Sequence, residues 1–178
     1  EPPITGPLPD QLNLVISNQI YIEKEGLPAP LRNLIVRMAA FQNPEFYKAQ
    51  AMRLSTFGKP RIISCCEEYP KHLALPRGCQ EELLQVLGEL KIKTKIIDER
   101  AAGDPLLLYF QGMLRPEQQL AADQLIKHDI GVLSASTAFG KTVIGAWLIA
   151  QRKVNTLVIV HRRQLMDQWV ESLQSFLG

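Results

Sequence analysis

The run Ala135-Ser136-Thr137-Ala138-Phe139-Gly140-Lys141-Thr142 has the residue types and spacing of a phosphate-binding loop, GxxxxGK[ST], with alanine at the first glycine position. The backbone N–H groups of Ser136, Thr137, Ala138, Phe139 and Gly140, with the positive end of a following helix, can cradle a polyphosphate. Lys141 would offset charge on the terminal phosphates, and the Thr142 hydroxyl would sit on Mg²⁺. The bland alternative is a small-residue turn capping a buried helix. Ala135 costs little if its φ is negative, because glycine is required only where φ is positive or the backbone is crowded.

Such a loop needs a strand before it and a helix after it. Ile130–Leu133 is apolar and reads as the strand, and residues 141–152 carry the helical pattern. Around them, residues 116–128 and 164–176 read as helices, and 156–160 as a second strand. Strands alternating with helices imply a parallel, three-layer α/β sheet. Upstream, residues 12–24 alternate as strands do, with a turn near Ser17-Asn18. A helix is expected over 29–42. Asn43-Pro44 starts another that runs to about Ser55. Strands are expected at 61–67, 73–75, 92–98 and 106–110, with a helix over 79–90.

A compositional seam at Gln111-Gly112 suggests two domains, residues 1–111 and 112–178. The net charge of +2 does not announce a nucleic-acid partner. One window does depart from neutrality. Arg32, Arg37, Lys48, Arg53, Lys59 and Arg61 stand against Glu45 alone, with Phe41, Phe46, Tyr47 and Phe57 among them. Basic residues interleaved with aromatics suit a nucleic-acid surface, with Arg32, Arg37 and Arg53 as phosphate contacts. Two amphipathic helices with solvated arginines would read the same way. No apolar run is long enough to span a bilayer, and no signal peptide opens the chain. The cysteines Cys65, Cys66 and Cys79 lack disulfide or zinc spacing and read as buried free thiols of a reducing, cytoplasmic compartment.

Residues 112–178 resemble the start of a superfamily-2 helicase motor, of the DEAD/DEAH-like kind. Three blocks in order carry the resemblance. Leu114-Arg115-Pro116-Glu117-Gln118 looks like the entry motif of XPB-type and UvsW-type helicases. The phosphate loop follows. Residues 155–165, ending Val160-His161-Arg162-Arg163-Gln164-Leu165, and then Gln168-Trp169, look like motif Ia. The resemblance implies an α/β fold: a small α+β N-terminal domain followed by the first part of a RecA-like parallel-sheet P-loop domain. It implies ATP and Mg²⁺ as cofactors, with Gln118 and Arg115 supporting the nucleotide. His161, Arg162 and Arg163 would touch a nucleic-acid backbone, DNA in preference to RNA. Their place just past a strand's C-terminal end, where ligands of open α/β sheets collect, favours that role over solvated loop charge near Asp167.

In the first half, residues 40–47, Leu75-Pro76-Arg77-Gly78 and Asp98-Glu99-Arg100 look like the region before the motor in helicases of TOTE-type bacterial conflict systems. The resemblance to a helicase also implies a downstream carboxylate box. After Lys141 this chain offers only Asp167 and Glu171, both on a helix. With a start that lacks Met, the expectation is an N-terminal piece of an ATP-dependent helicase that hydrolyses ATP negligibly by itself. The alternative is a nucleic-acid-binding module without ATPase activity. The sequence leaves the oligomeric state open.

Overall fold

Five strands form the main sheet, and alternation along each explains which face is covered. The computed structural model describes residues 7–178, so Glu1-Pro2-Pro3 lie outside the described residues. The chain divides into two compact units, one reaching Ala101 and the other Ala102–Gly178.

In the first unit β1 (Gln11–Ile16) and β2 (Ile20–Glu23) form a hairpin, as the alternation implies. The remaining elements are α1 (Ala29–Met38), β3 (Ala40–Gln42), α2 (Pro44–Ala51), β4 (Ile62–Ser64), β5 (Glu67–Glu68), β6 (His72–Leu75), α3 (Gln80–Glu89) and β7 (Lys93–Asp98). The sheet order is β5-β6-β2-β1-β7, and β3 and β4 form a separate antiparallel ribbon. The β1–β7 pair is parallel, with Leu14 opposite Ile96, while β2–β6 and β5–β6 are antiparallel. Leu12, Leu14, Ile20, Ile22, Leu73 and Leu75 point to one side, where Leu31 and Ile35 of α1 and Leu83 and Leu87 of α3 cover them. The helical residues are four apart, hence on one face of each helix.

Four expectations shift here. The helix expected over 29–42 stops at Met38, because Phe41 pairs with Ile63 in the β3–β4 ribbon. The next helix stops at Ala51 rather than near Ser55, with Arg53 turning into the left-handed region at φ 55. The strand expected over 61–67 splits into β4 and β5. Cys65 and Cys66 fall in the link between them. The thiols are free, as expected, but not buried: Cys65 is exposed and Cys66 and Cys79 are half-buried. Partial burial still pushes the Cys66 and Cys79 thiols up from their ordinary values.

The second unit holds α4 (Pro116–Leu125), α5 (Lys141–Arg152) and α6 (Arg163–Leu177). Residues 102–111 belong to it through real bonds. Leu106 N donates to Lys153 O at 2.8 Å, Gln111 N to Phe176 O at 2.7 Å, and Phe110 stacks on Phe176 at 5.6 Å. The fold is α/β, and its sheet lies in the first unit. Segments 106–110, 130–133 and 156–160, expected as strands, form no ladder. Strand pairing in this unit is a single bridge, Pro105 to Val154. A strand requires a neighbour's backbone groups, and the three segments do not pair with one another. Among the described residues no helix is long and apolar enough to cross a membrane.

Candidate nucleotide-binding site

The loop of residues 135–142 is held by its own lysine and by α4. Lys141 Nζ donates to the carbonyls of Ala135 and Ser136, both at 2.8 Å, so the ammonium spans the loop's entry. Gly140 takes φ 89, and a Cβ there would overlap the Gln118 amide nitrogen. Glycine is therefore required at this position on two counts. Ala138 also lies in the left-handed region, at φ 66. The first i→i−4 bond of α5 is Ile144 N to Gly140 O at 3.2 Å. The amides of Lys141, Thr142 and Val143 precede it, which makes them the orphan donors of the helix start. Thr142 is half-buried at the second position of α5.

Gln118 and Arg115 converge on one atom. Gln118 Nε2 and Arg115 Nη2 both donate to Phe139 O, each at 2.7 Å. Gln118 Oε1 in turn accepts from Arg115 N at 2.9 Å, which ties down the first turn of α4. Gln118 is 4% exposed, and both ends of its amide are used within the unit. In this geometry Gln118 holds the loop's shape, and its amide is not presented outward toward a base. Arg115 also pairs with Glu117 at 3.3 Å, on the exposed side.

His161, Arg162 and Arg163 are all exposed, and they sit where α6 begins. Arg162 occupies the N-cap, and its carbonyl accepts from Leu165 N at 3.1 Å and Met166 N at 3.2 Å. Arg162 and Arg163 thus lie at the start of α6, where the first helix amides lack intrahelical acceptors. The helix α6 packs on α5, and a Cβ at Gly145 would come within 2.5 Å of the Trp169 ring. A cavity of about 290 Å³ between these helices is lined by Leu148, Ile149, Val154, Val158 and Trp169.

In the first unit Arg32 and Arg37 lie on α1 and Arg53 follows α2. All three are exposed. Five residues apart, Arg32 and Arg37 are roughly 140° apart around the helix and do not share a face. Arg37 Nε donates to Asn33 O at 3.3 Å. One feature was not legible beforehand. On the uncovered side of the sheet Asn13, Tyr21, Glu23, His72 and Glu99 line a depression of about 310 Å³. Alternation marks these as outward positions, but only the strand order brings them together.

ATP with Mg²⁺ fits the second unit's loop on the structure's own terms. The first amides of α5 have no intrahelical acceptor, and the Lys141 ammonium lies at the same loop, bonded to the Ala135 and Ser136 carbonyls. The Thr142 hydroxyl is the group in this loop that would ligate a magnesium ion entering with the nucleotide. Among the described residues no three His, Cys, Asp or Glu cluster as a metal site, so the ion would be carried largely by phosphate oxygens.

Residues 111–178 match the family described as Type III restriction enzyme, res subunit. The chain is also similar to viral proteins named as helicases. Protein 161L of Invertebrate iridescent virus 6 is 39% identical over 71 residues, which is 38% of this chain and 16% of that protein. Protein 109L of Invertebrate iridescent virus 3 is 35% identical over 72 residues, 38% of this chain and 22% of its own length. Protein L396 of Acanthamoeba polyphaga mimivirus, whose name describes an ATP-dependent RNA helicase, is 34% identical over 70 residues, or 37% and 14%. The chain thus spans less than a quarter of the length of these curated relatives. The second unit is helicase-like, and the similarity covers all three blocks: the α4 entry, the phosphate loop and the start of α6.

Proposed function

We propose that this chain supplies the nucleotide-binding start of an ATP-dependent nucleic-acid motor, together with a domain that engages the nucleic acid. The observation that carries the nucleotide half is the Lys141 ammonium held across a loop whose far end is pinned at Phe139 O by Gln118 and Arg115. A triphosphate entering the loop would draw Lys141 Nζ from the Ala135 and Ser136 carbonyls onto phosphate oxygens, exchanging neutral acceptors for charged ones. Gln118 and Arg115 would keep Phe139 and Gly140 in place during that exchange. They act as positioning residues for the loop. Magnesium, carried in with the nucleotide, would supply charge neutralisation at the phosphates, with the Thr142 hydroxyl as its protein ligand.

His161, Arg162 and Arg163 would grip a nucleic-acid backbone, and the exposed Arg32, Arg37 and Arg53 of the first unit would add sequence-independent phosphate contacts. The three sequence blocks and the upstream residues Leu75-Pro76-Arg77-Gly78 support the finer assignment to the XPB/UvsW type, in a TOTE-like setting, with DNA as the track.

The test is binding of a fluorescent ATP analogue with Mg²⁺. Lys141→Ala should weaken it by about tenfold or more, the value of a lost charge-assisted hydrogen bond. Unchanged binding would remove the nucleotide assignment. Hydrolysis by these 178 residues alone should be negligible, because Asp167 and Glu171 on α6 are the only acids after Lys141. Robust turnover that Lys141→Ala abolishes would refute that part.

A further inference from the structure

Between α2 and β4 the chain builds a fixed projection with an aromatic ring at its tip. Helix α2 ends with Arg53 N donating to Gln50 O at 3.0 Å and Leu54 N to Ala49 O at 2.8 Å. This is the paired-bond stop that glycine usually serves, and here an arginine takes the left-handed position at φ 55. The chain then turns through Thr56–Lys59. Lys59 N donates to Thr56 O at 3.0 Å, and Gly58 adopts φ 73 at the third position, where type II turns require positive φ. Phe57 occupies the outer corner of that turn and is 96% exposed. Its amide bonds Ser55 Oγ at 3.2 Å. Buried Asn43 clamps the base of the loop. Its Nδ2 donates to Pro60 O at 2.8 Å and its backbone N to Arg61 O at 3.0 Å. Arg61 lies over the Phe46 ring at 5.7 Å.

The surroundings decide what the ring is for. From Phe46 to Ser64 the sequence holds Lys48, Arg53, Lys59 and Arg61 and no acid. Seating this loop on an apolar protein face would strip water from several cations without pairing them. A polyanion neutralises them, and every base offers a π-face to an exposed ring. We infer that Phe57 stacks on an unpaired nucleobase while Arg53, Lys59 and Arg61 hold the flanking phosphates. The inference rests on the nucleic-acid role proposed above and names its contact point.

The experiment is anisotropy binding of labelled oligo-dT and oligo-rU to the full chain at two salt concentrations. Phe57 is solvent-exposed, so its variants should fold as the parent does, and circular dichroism checks this. Phe57→Ala should weaken single-strand binding about tenfold. Phe57→Trp should restore it, and Phe57→Leu should not. Lys59→Glu should weaken binding and flatten its salt dependence. If leucine serves as well as phenylalanine, the contact is merely apolar and the stacking inference fails. If Phe57→Ala changes nothing while Lys59→Glu still weakens binding, stacking fails and the nucleic-acid reading stands. If the parent chain binds neither oligonucleotide, both fall together. If Phe57→Ala instead abolishes self-association seen by sedimentation, the tip is a contact between copies and the inference is overturned.

Discussion

The first unit buries twelve apolar residues in one cluster shared by three strands and two helices, whereas the second buries only Leu114, Ala122 and Ile144 in its cluster. In the second, Val132, Leu157 and Ile159 stand out in solvent on segments that read as buried strands. The difference lies in what each kind of element needs. A helix satisfies its own backbone, so α4, α5 and α6 form wherever the pattern permits. A strand needs a second strand, and β1 finds both β2 and β7 within its unit. Segments 130–133 and 156–160 find none. The loop of residues 135–142 is instead pinned from α4, at Phe139 O.

Substitutions at matched apolar positions probe this contrast most strongly. Leu14→Ala, at a site 1% exposed, should lower stability by about 3 kcal/mol in denaturant unfolding. Leu157→Ala, at a site 84% exposed, should change it by no more than ~0.5 kcal/mol. Equal losses would mean that the second unit has a core the contrast denies it.

Gly140→Ala comes next. It forces a left-handed alanine against the Gln118 amide, at a strain of order 1–3 kcal/mol. The loop should lose nucleotide affinity by at least about tenfold while the first unit's unfolding stays the same. Retained affinity would show that α4 does not set the loop.

Gly145→Ala should cost about 1–2 kcal/mol by pushing Trp169 off α5, and should shift tryptophan emission. A silent variant would mean the α5–α6 contact is loose.

The smallest effect concerns Asp98, at the end of β7. Arg100 donates to it through Nε at 2.9 Å and through Nη2 at 2.7 Å, and these bonds hold its pKa at about 2. The folded value lies below the ordinary 3.8, so the pair contributes stability above roughly pH 4 and loses it as pH falls through about 2. Arg100→Ala should return the Asp98 titration, followed by carbon NMR, toward its ordinary range.

Much of the local structure was legible. Helix α5 begins at Lys141 and ends at Arg152, as its pattern implies. Asn43 caps α2, its Oδ1 accepting from Glu45 N at 3.0 Å, as the Asn-Pro pair implies. Leu12, Leu14 and Ile16 alternate in the sequence and are buried in the fold. The place of the loop between Leu133 and α5 was legible for the same reason, since eight adjacent residues carry the whole pattern. The end of α1 was not. Phe41 continues the helical period, but its partner in β4 is far along the chain.

The chain's own order of residues therefore determined where α2 and α5 start, which strand positions face inward, and which eight residues carry the loop pattern. Each depends on groups within one or two turns of each other, where spacing alone sets the contact. Tertiary structure decided that β1 lies parallel to β7, that the motor-like segments stay unpaired, and that the Gln118 amide turns onto Phe139 O, 21 residues away. Those outcomes depend on which distant backbone and carbonyl groups meet. Periodicity carries no information about that meeting, because each such segment satisfies its pattern equally well before a partner arrives.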